Sequence, residues 1–575
     1  PTVAEQIKDG YIAATFKASG KGRAGVLARY TATENDATMY VCWLEAPRSF
    51  GCHKYVDGAW RSLLEAQSRQ VRATGANTIA LQIVGSNLLI SINGKNVASV
   101  ADRDLARGAW GVFAEGGTGK MVARFSRVLI AGPPAGRATP TTSSAQPRVT
   151  PTPGGAGHLF GLDPSFGDSG KLTMDIGSGL DEVYDVVVQP DGKIVVGGEA
   201  WPRGNPSFTL ARFNPDGSLD TSYGDGGTVV TTLIEEYDYS GIRSLALQPD
   251  GKLLAAGPAR HPETRRPAFG VARYTADGQL DTSFGDGGIV ITQVTIDPGY
   301  SIEDEAEAMA LQSDGKIVVA GGVGSFPGDF GLVRLLPNGK LDESFGDGGR
   351  VVTDFGYEDK AHAVAIQPDG KILVAGFGAL SGESLEDYNF ALARYNADGS
   401  LDTRFGDGGK VTTDLSEFQD EVHALALRPD GKIVAGGLSV NGARFCQGTA
   451  CWTYGMAMAQ YNADGSLDTA FGAGGKVVVE GHWGAGYDLL RLADGTLALG
   501  GYVGETDFGL ALFDASGKPL PGFGDDGILR TEFGLYKDRI NALALQPDGR
   551  IVAAGSAVVD PDDILNGDFA LVRYK

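Results

Sequence analysis

Apolar and polar positions alternate along this chain with a period of two, in short runs separated by glycine-rich turns, and no stretch carries the 3.6-residue period of a helix. From residue 158 onward the alternation is itself repeated. A segment resembling ALQPDGKIVVAG starts at Val186, Leu245, Met309, Val364, Leu425, Leu489 and Leu543. A second, FxLARY, starts at Phe208, Phe269, Phe330, Phe390, Met456, Phe508 and Phe569. A third, LDxSFGDGG, starts at Leu162, Leu219, Leu280, Leu341, Leu401, Leu467 and, in the form LPGFGDDG, Leu520. The turn aspartates Asp191, Asp250, Asp314, Asp369, Asp430, Asp494 and Asp548 lie 54 to 64 residues apart, a spacing that marks a repeat architecture. In the fourth repeat the pattern predicts strands at 361–367, 371–375, 390–395 and 410–414. The PDGK segment joins the first two as a tight hairpin, with glycine where φ must be positive. Four short antiparallel strands repeated seven times predict a seven-bladed β-propeller. The array opens on a fourth-strand sequence, 171–176, and ends on a third strand, 569–574. The first of these is expected to complete the blade of the second, closing the ring without a bare edge.

Residues 1–132 alternate differently, with strand-like runs at 11–16, 25–30, 38–44, 78–84, 88–92 and 122–130. Between the two parts, 133–157 is rich in Pro, Thr, Ser, Gly and Ala without periodicity and reads as a linker. The expectation is an all-β chain of two domains: 1–132 a β-sandwich, 158–575 the propeller.

The three repeated signatures resemble the delta-60 repeats of bacterial β-propellers, over essentially all of 158–575. That resemblance implies the propeller fold and no single activity. Departures cluster late: Gln460 and Leu512 stand for the Arg of LARY, and Leu492 for the Gln of LQPDG. In the N-terminal part, the Asn93–Gly94 turn followed by Asp102 and Gly108–Gly111 resembles the concanavalin A-like, laminin G-like jelly roll. That resemblance implies glycan or protein binding; the ExDxxE carboxylate pattern of its glucanase relatives is absent.

Charge divides the chain the same way. Residues 1–157 hold 18 Lys+Arg against 10 Asp+Glu, the remainder 31 against 61. So acidic a body repels phosphate backbones and disfavours nucleic acid as a partner. No apolar run reaches the length of a membrane helix. The four cysteines form two local pairs, Cys42 with Cys52 and Cys446 with Cys451, without zinc spacing. Two disulfides, and hence a secreted, periplasmic or cell-surface location, are expected.

The repeated Arg212, Arg273, Arg334, Arg394 and Arg573 and the repeated Asp163, Asp220, Asp281, Asp342, Asp402 and Asp468 read as scaffold ion pairs. The Phe of FGDGG reads as a wedge between blades. No cofactor is implied, although Asn396, Asp398 and Asp402 make a partial calcium-loop pattern.

Positions that vary among blades say more about function. Five residues before the residue that precedes each turn stand Tyr184, Arg243, Glu307, His362, His423, Tyr487 and Asn541. At the start of the innermost strand these seven are expected to ring one mouth of the central channel, as a binding site grafted on a repeating scaffold. Glu307, His362 and His423, in consecutive blades, are candidate metal ligands, with histidine titration expected near about pH 6.5. No nucleophile, zinc-protease, P-loop or dinucleotide motif is present. The leading reading is a non-enzymatic extracellular binding or assembly protein, whose partners are a glycan, an envelope protein or further copies of itself. The alternatives are a hydrolase or lyase using the channel mouth, and a structural subunit of an extracellular complex or filament.

Overall fold

The computed structural model describes ten strands between residues 10 and 131. It also describes residues 161–575, apart from 178, 202–205, 235–239, 296–303, 325–327, 380–387, 417, 447–448, 480–483, 505–506, 525–526, 535 and 560–566. The chain divides into two compact units, 1–152 and 153–575.

The first unit contains two five-stranded antiparallel sheets. One orders Val122–Ala131, Gly10–Ser19, Asn77–Val84, Asn87–Ile92 and Lys95–Ala101; the other orders Ala59–Gln67, Ser49–Val56, Ala37–Glu45, Gly22–Ala32 and Ala109–Gly116. Cys42 and Cys52 face each other directly across a hairpin, Cα atoms 4.1 Å apart, and form a buried disulfide. The side chains of Cys446 and Cys451, and with them the second expected disulfide, lie outside the described residues.

The second unit is a seven-bladed β-propeller of four-stranded antiparallel sheets. Blades 1 to 6 occupy 182–231, 244–292, 305–353, 359–413, 420–478 and 484–531. Blade 7 combines Tyr536–Leu545, Ile551–Val558 and Asp568–Tyr574 with Lys171–Met174, which pairs antiparallel from Lys171 opposite Val572 to Met174 opposite Phe569. The third strands are buried along nearly their whole length, so alternate side chains pack on the blades before and after.

The repeated polar residues tie each blade to the next. In blade 1, Arg212 Nε donates to Asp220 Oδ2 at 2.8 Å, Lys193 of the PDGK turn approaches the same oxygen at 2.9 Å, and Arg212 Nη1 donates to the carbonyl of Ala276 in blade 2 at 2.7 Å. Arg273, Arg334, Arg394 and Arg573 repeat the pattern onto Pro337, Ala397, Ala463 and Pro215. Each guanidinium also lies over the ring of its blade's Phe or Tyr, centroid distances 4.3–4.8 Å. That ring sits beneath the turn glycine of the following blade. At Gly399, for example, an added Cβ would meet Phe345 at 3.0 Å. Hydrogen bonds from Ser222 and Lys193 hold Asp220 well below the usual carboxylate range, and those from Ser344 and Lys316 outweigh burial and bring Asp342 to about 2.

Two blades depart. In blade 5 the pair is exchanged: Arg428, at the Gln position of the turn, donates to Gln460 Oε1 at 2.5 Å and reaches the Ala515 carbonyl of blade 6 at 2.8 Å. Gln460 then donates to Asp468 at 2.5 Å. In blade 6 the structure corrects the alignment by one residue. Pro519, not Leu520, bridges Phe513 as Leu467 bridges Tyr461, so Leu520 occupies the aspartate position. Leu492, Leu512 and Leu520 thus replace Gln, Arg and Asp together, in one apolar cluster.

Candidate functional site

The first strands of successive blades lie side by side, and six of the seven carry a register shift against the second strand. The unpaired residue at the shift next to the turn is Tyr184, Glu307, His362, His423, Tyr487 or Asn541, the residue singled out in the sequence. In blade 2 Arg243 stands just before the strand Ser244–Leu247. A bulge turns an extra side chain out of the pleat, here towards the channel. Second-strand glycines make room for it. A Cβ at Gly376 would lie 1.9 Å from the Lys360 carbonyl oxygen, and Gly198, Gly257, Gly321, Gly437, Gly501 and Gly555 stand at 1.7–1.9 Å in the same relation. The closing glycine of the repeated signature is therefore a condition for the bulge that aims the variable residue.

All seven predicted residues line one cavity of ≈ 360 Å³, together with Asp185, Ser244, Asp488 and Arg539. The ring has two halves. On the charged side, the Arg243 guanidinium stacks on Tyr184 at 3.7 Å and comes within 3.5 Å of Glu199 and 4.0 Å of Glu307. Lys360 pairs with Glu307 at 2.7 Å and with Glu305 at 2.8 Å. Glu182 accepts from Tyr184 Oη and Asn541 Nδ2, each at 3.0 Å, and from Arg539 Nε at 2.8 Å. On the other side, the rings of His362 and His423 lie 4.9 Å apart and that of Tyr487 5.1 Å beyond.

Burial governs the titration of this ring. It lowers His362 to about 3 and His423 well below the ordinary imidazole value, so the expected titration near pH 6.5 does not occur: both rings stay neutral where a solvated histidine would charge. Burial pushes the Glu421 carboxyl up to about 7, Asp185 to about 7 and Asp488 to about 6. Asp185 accepts the backbone N–H groups of Val186 and Leu245, and Asp488 those of Leu489 and Leu543, so both brace neighbouring blades.

Two candidate groupings change. Glu307 belongs to Lys360 and Arg243; the carboxylate beside the histidines is Glu421, whose Oε2 lies 3.5 Å from His423 Nε2. Glu421 stands two residues before His423 on one strand, at a position that also varies among blades but that the count of five back from the turn does not reach. Glu182, Lys360 and Arg539 occupy the same register and were missed for the same reason. The calcium pattern also dissolves: Asp402 pairs with Arg394 at 2.8 Å, Asp398 caps Ser400, and Asn396 donates to Ser400 Oγ.

The family described as "Domain of unknown function (DUF5122) beta-propeller" matches residues 189–223, 248–284, 312–345, 367–405 and 452–471. No curated protein sequence matches the chain. Solved structures similar to it include virginiamycin B lyase from Staphylococcus aureus, at 11% identity over 70% of this chain and 98% of that one, TM-score 0.38. A leech intramolecular trans-sialidase aligns at 12% identity over 99% and 94%, TM-score 0.31. The carbohydrate-binding module CBM66 from Bacillus subtilis aligns at 14% identity over 22% and 78%, TM-score 0.19. Likeness at this level carries no functional weight.

Proposed function

We propose that this chain is an extracellular or cell-surface binding protein, not an enzyme, and that the propeller's channel-mouth cavity holds a small hydroxyl-bearing ligand such as a glycan terminus. One observation carries the reading. A scaffold that repeats almost everything else places seven non-repeating polar or aromatic side chains around one cavity of ≈ 360 Å³, a volume within the range of small-molecule sites. Tyr184 and Tyr487 offer faces for stacking, while Glu307, Asn541 and the imidazoles offer hydrogen-bonding atoms. The same reading takes the N-terminal sheets as a concanavalin A-like jelly roll that binds a second glycan or an envelope protein. It takes the pairing of Lys171–Met174 with Phe569–Val572 as the closure that keeps the ring rigid. The Cys42–Cys52 disulfide suits an oxidising compartment.

The test is a glycan array probed with the full chain and with the Tyr184→Ala/Tyr487→Ala variant. Glycans retained by wild type and lost by the variant belong to the cavity; those retained by both belong elsewhere. No bound glycan, or identical profiles, removes the cavity from the function.

A further inference from the structure

We propose that His362, His423 and Glu421 form a site for one divalent transition-metal ion, of which zinc is the natural occupant. The proposal rests on reading the channel mouth as a binding site and names what one side of it holds. One ligand atom from each residue can be chosen so that all three lie within 4.8 Å of one another, close enough for small side-chain rotations to bring them round one ion. The Nε2 atoms of both histidines are buried and have no hydrogen-bond partner, an arrangement that costs free energy unless something fills it. Metal coordination satisfies both at once. Gln419 Nε2 donates to Glu421 Oε1 at 2.8 Å, leaving the oxygen that faces His423 free to coordinate and fixing the carboxylate's orientation. Two imidazoles and one carboxylate, with the fourth position open to the cavity that His362 and His423 line, suit zinc and disfavour calcium and magnesium, which prefer oxygen donors. Glu307 is excluded from the set because Lys360 and Arg243 neutralise it.

The experiment uses the full chain, stripped with chelator, reloaded with zinc(II) or cobalt(II) and dialysed. Bound metal is quantified by elemental analysis, and the cobalt form is read by its visible d–d spectrum. Wild type and Glu307→Gln should each retain one equivalent with a tetrahedral cobalt spectrum. His362→Ala/His423→Ala should retain none, and Gln419→Ala should bind about 10- to 100-fold more weakly. Circular dichroism and thermal unfolding verify folding. His423→Gln serves if the double variant does not fold, and it too should lose the metal. Absence of bound metal in wild type, retention by the histidine variants, or loss in Glu307→Gln with retention in Glu421→Gln overturns the proposal. Failure here with glycan binding still dependent on Tyr184 and Tyr487 leaves the binding reading standing and removes only the metal.

Discussion

Blade 5 permits a direct test of how neighbouring blades are held together. In blade 7, Arg573 on the third strand binds Asp163 at 2.9 Å, reaches the Pro215 carbonyl of blade 1 and accompanies Gln546, 3.3 Å away, and Arg550 on the turn. Blade 5 holds the same groups with Arg and Gln exchanged, as Arg428 and Gln460. Arg428→Gln removes the cation that serves Gln460 and Ala515, which should cost about 2 kcal/mol for charge-assisted bonds left unmade. Gln460→Arg places a second guanidinium beside Arg428 and Lys432 around the single carboxylate of Asp468, a like-charge crowding with a cost of about the same size. The double variant recreates the arrangement of blade 7, with Lys432 where that blade has Arg550, and should return close to wild type, a coupling of about 3–4 kcal/mol. For a unit of about 420 residues, 1 kcal/mol moves the melting temperature by about 1 °C. Each single variant should therefore melt about 2 °C lower and the double within about 1 °C of wild type, measured by scanning calorimetry at one pH and protein concentration. A double variant that melts lower by the sum of the two singles would refute the idea that these residues are one exchanged pair.

Gly376→Ala should cost about 3 kcal/mol, because its Cβ would meet the Lys360 carbonyl oxygen at 1.9 Å, whereas Gly370→Ala, with open space but φ +84°, should cost only about 1–2 kcal/mol; equal melting temperatures would contradict the bulge argument. Deleting 158–177 removes the strand paired with Asp568–Tyr574 and should cause aggregation or a large loss of stability, so an unchanged melting temperature counts against ring closure. Stability should peak near about pH 4. Asp185 and Asp359, raised to about 7, and Asp488 and Asp538, raised to about 6, hold protons in the folded state that the unfolded chain has released, so stability falls as pH rises from about 4 to 7. Asp220, Asp281 and Asp342, all lowered, act in the opposite sense and withdraw stability below about pH 4; a melting temperature that rises steadily from pH 5 to 8 would contradict this. Intact mass should rise by about two protons on reduction for Cys42–Cys52 alone and by about four if Cys446–Cys451 also forms.

The propeller was legible because its signals are local. A PDGK turn fixes its own hairpin whatever surrounds it, and counting back from that turn located the ring residues without knowledge of the bulge. What stayed hidden depends on pairing between strands. The packing of blade 4 on blade 3 decides that Lys360 takes Glu307, which leaves Glu421 as the carboxylate beside the histidines. In blade 6, Pro519 and Leu520 are both apolar, so the pattern could not tell the leucine position from the aspartate position; only the bridge from Phe513 to Pro519 separates them. In the N-terminal unit, Ser49–Val56, Ala59–Gln67, Lys95–Ala101 and Ala109–Gly116 escaped notice because polar residues or glycine interrupt the apolar alternation that marked their neighbours.

The apolar substitution in blade 6 faces the blade that is completed by Lys171–Met174. Each guanidinium tie reaches a carbonyl in the turn that follows the third strand of the next blade. For blade 6 that turn would belong to blade 7, and there the chain does not run from Tyr574 into Leu162. Lys575 donates its N–H to the Gly161 carbonyl at 2.9 Å. A guanidinium at position 512 without its Gln, Lys and Asp companions would be a buried charge only partly satisfied. Breaking one member of a buried charged group costs more than replacing all of them with well-packed apolar side chains. Leu492, Thr496, Leu512 and Leu520 are that complete replacement, and Leu492 and Leu512 pack with Phe523, Leu543 and Tyr574 where blade 6 meets blade 7. Among the described residues, the interface of blade 6 with blade 7 lacks the ionic tie and is held by hydrophobic contact. It should be the least sensitive of the seven to ionic strength.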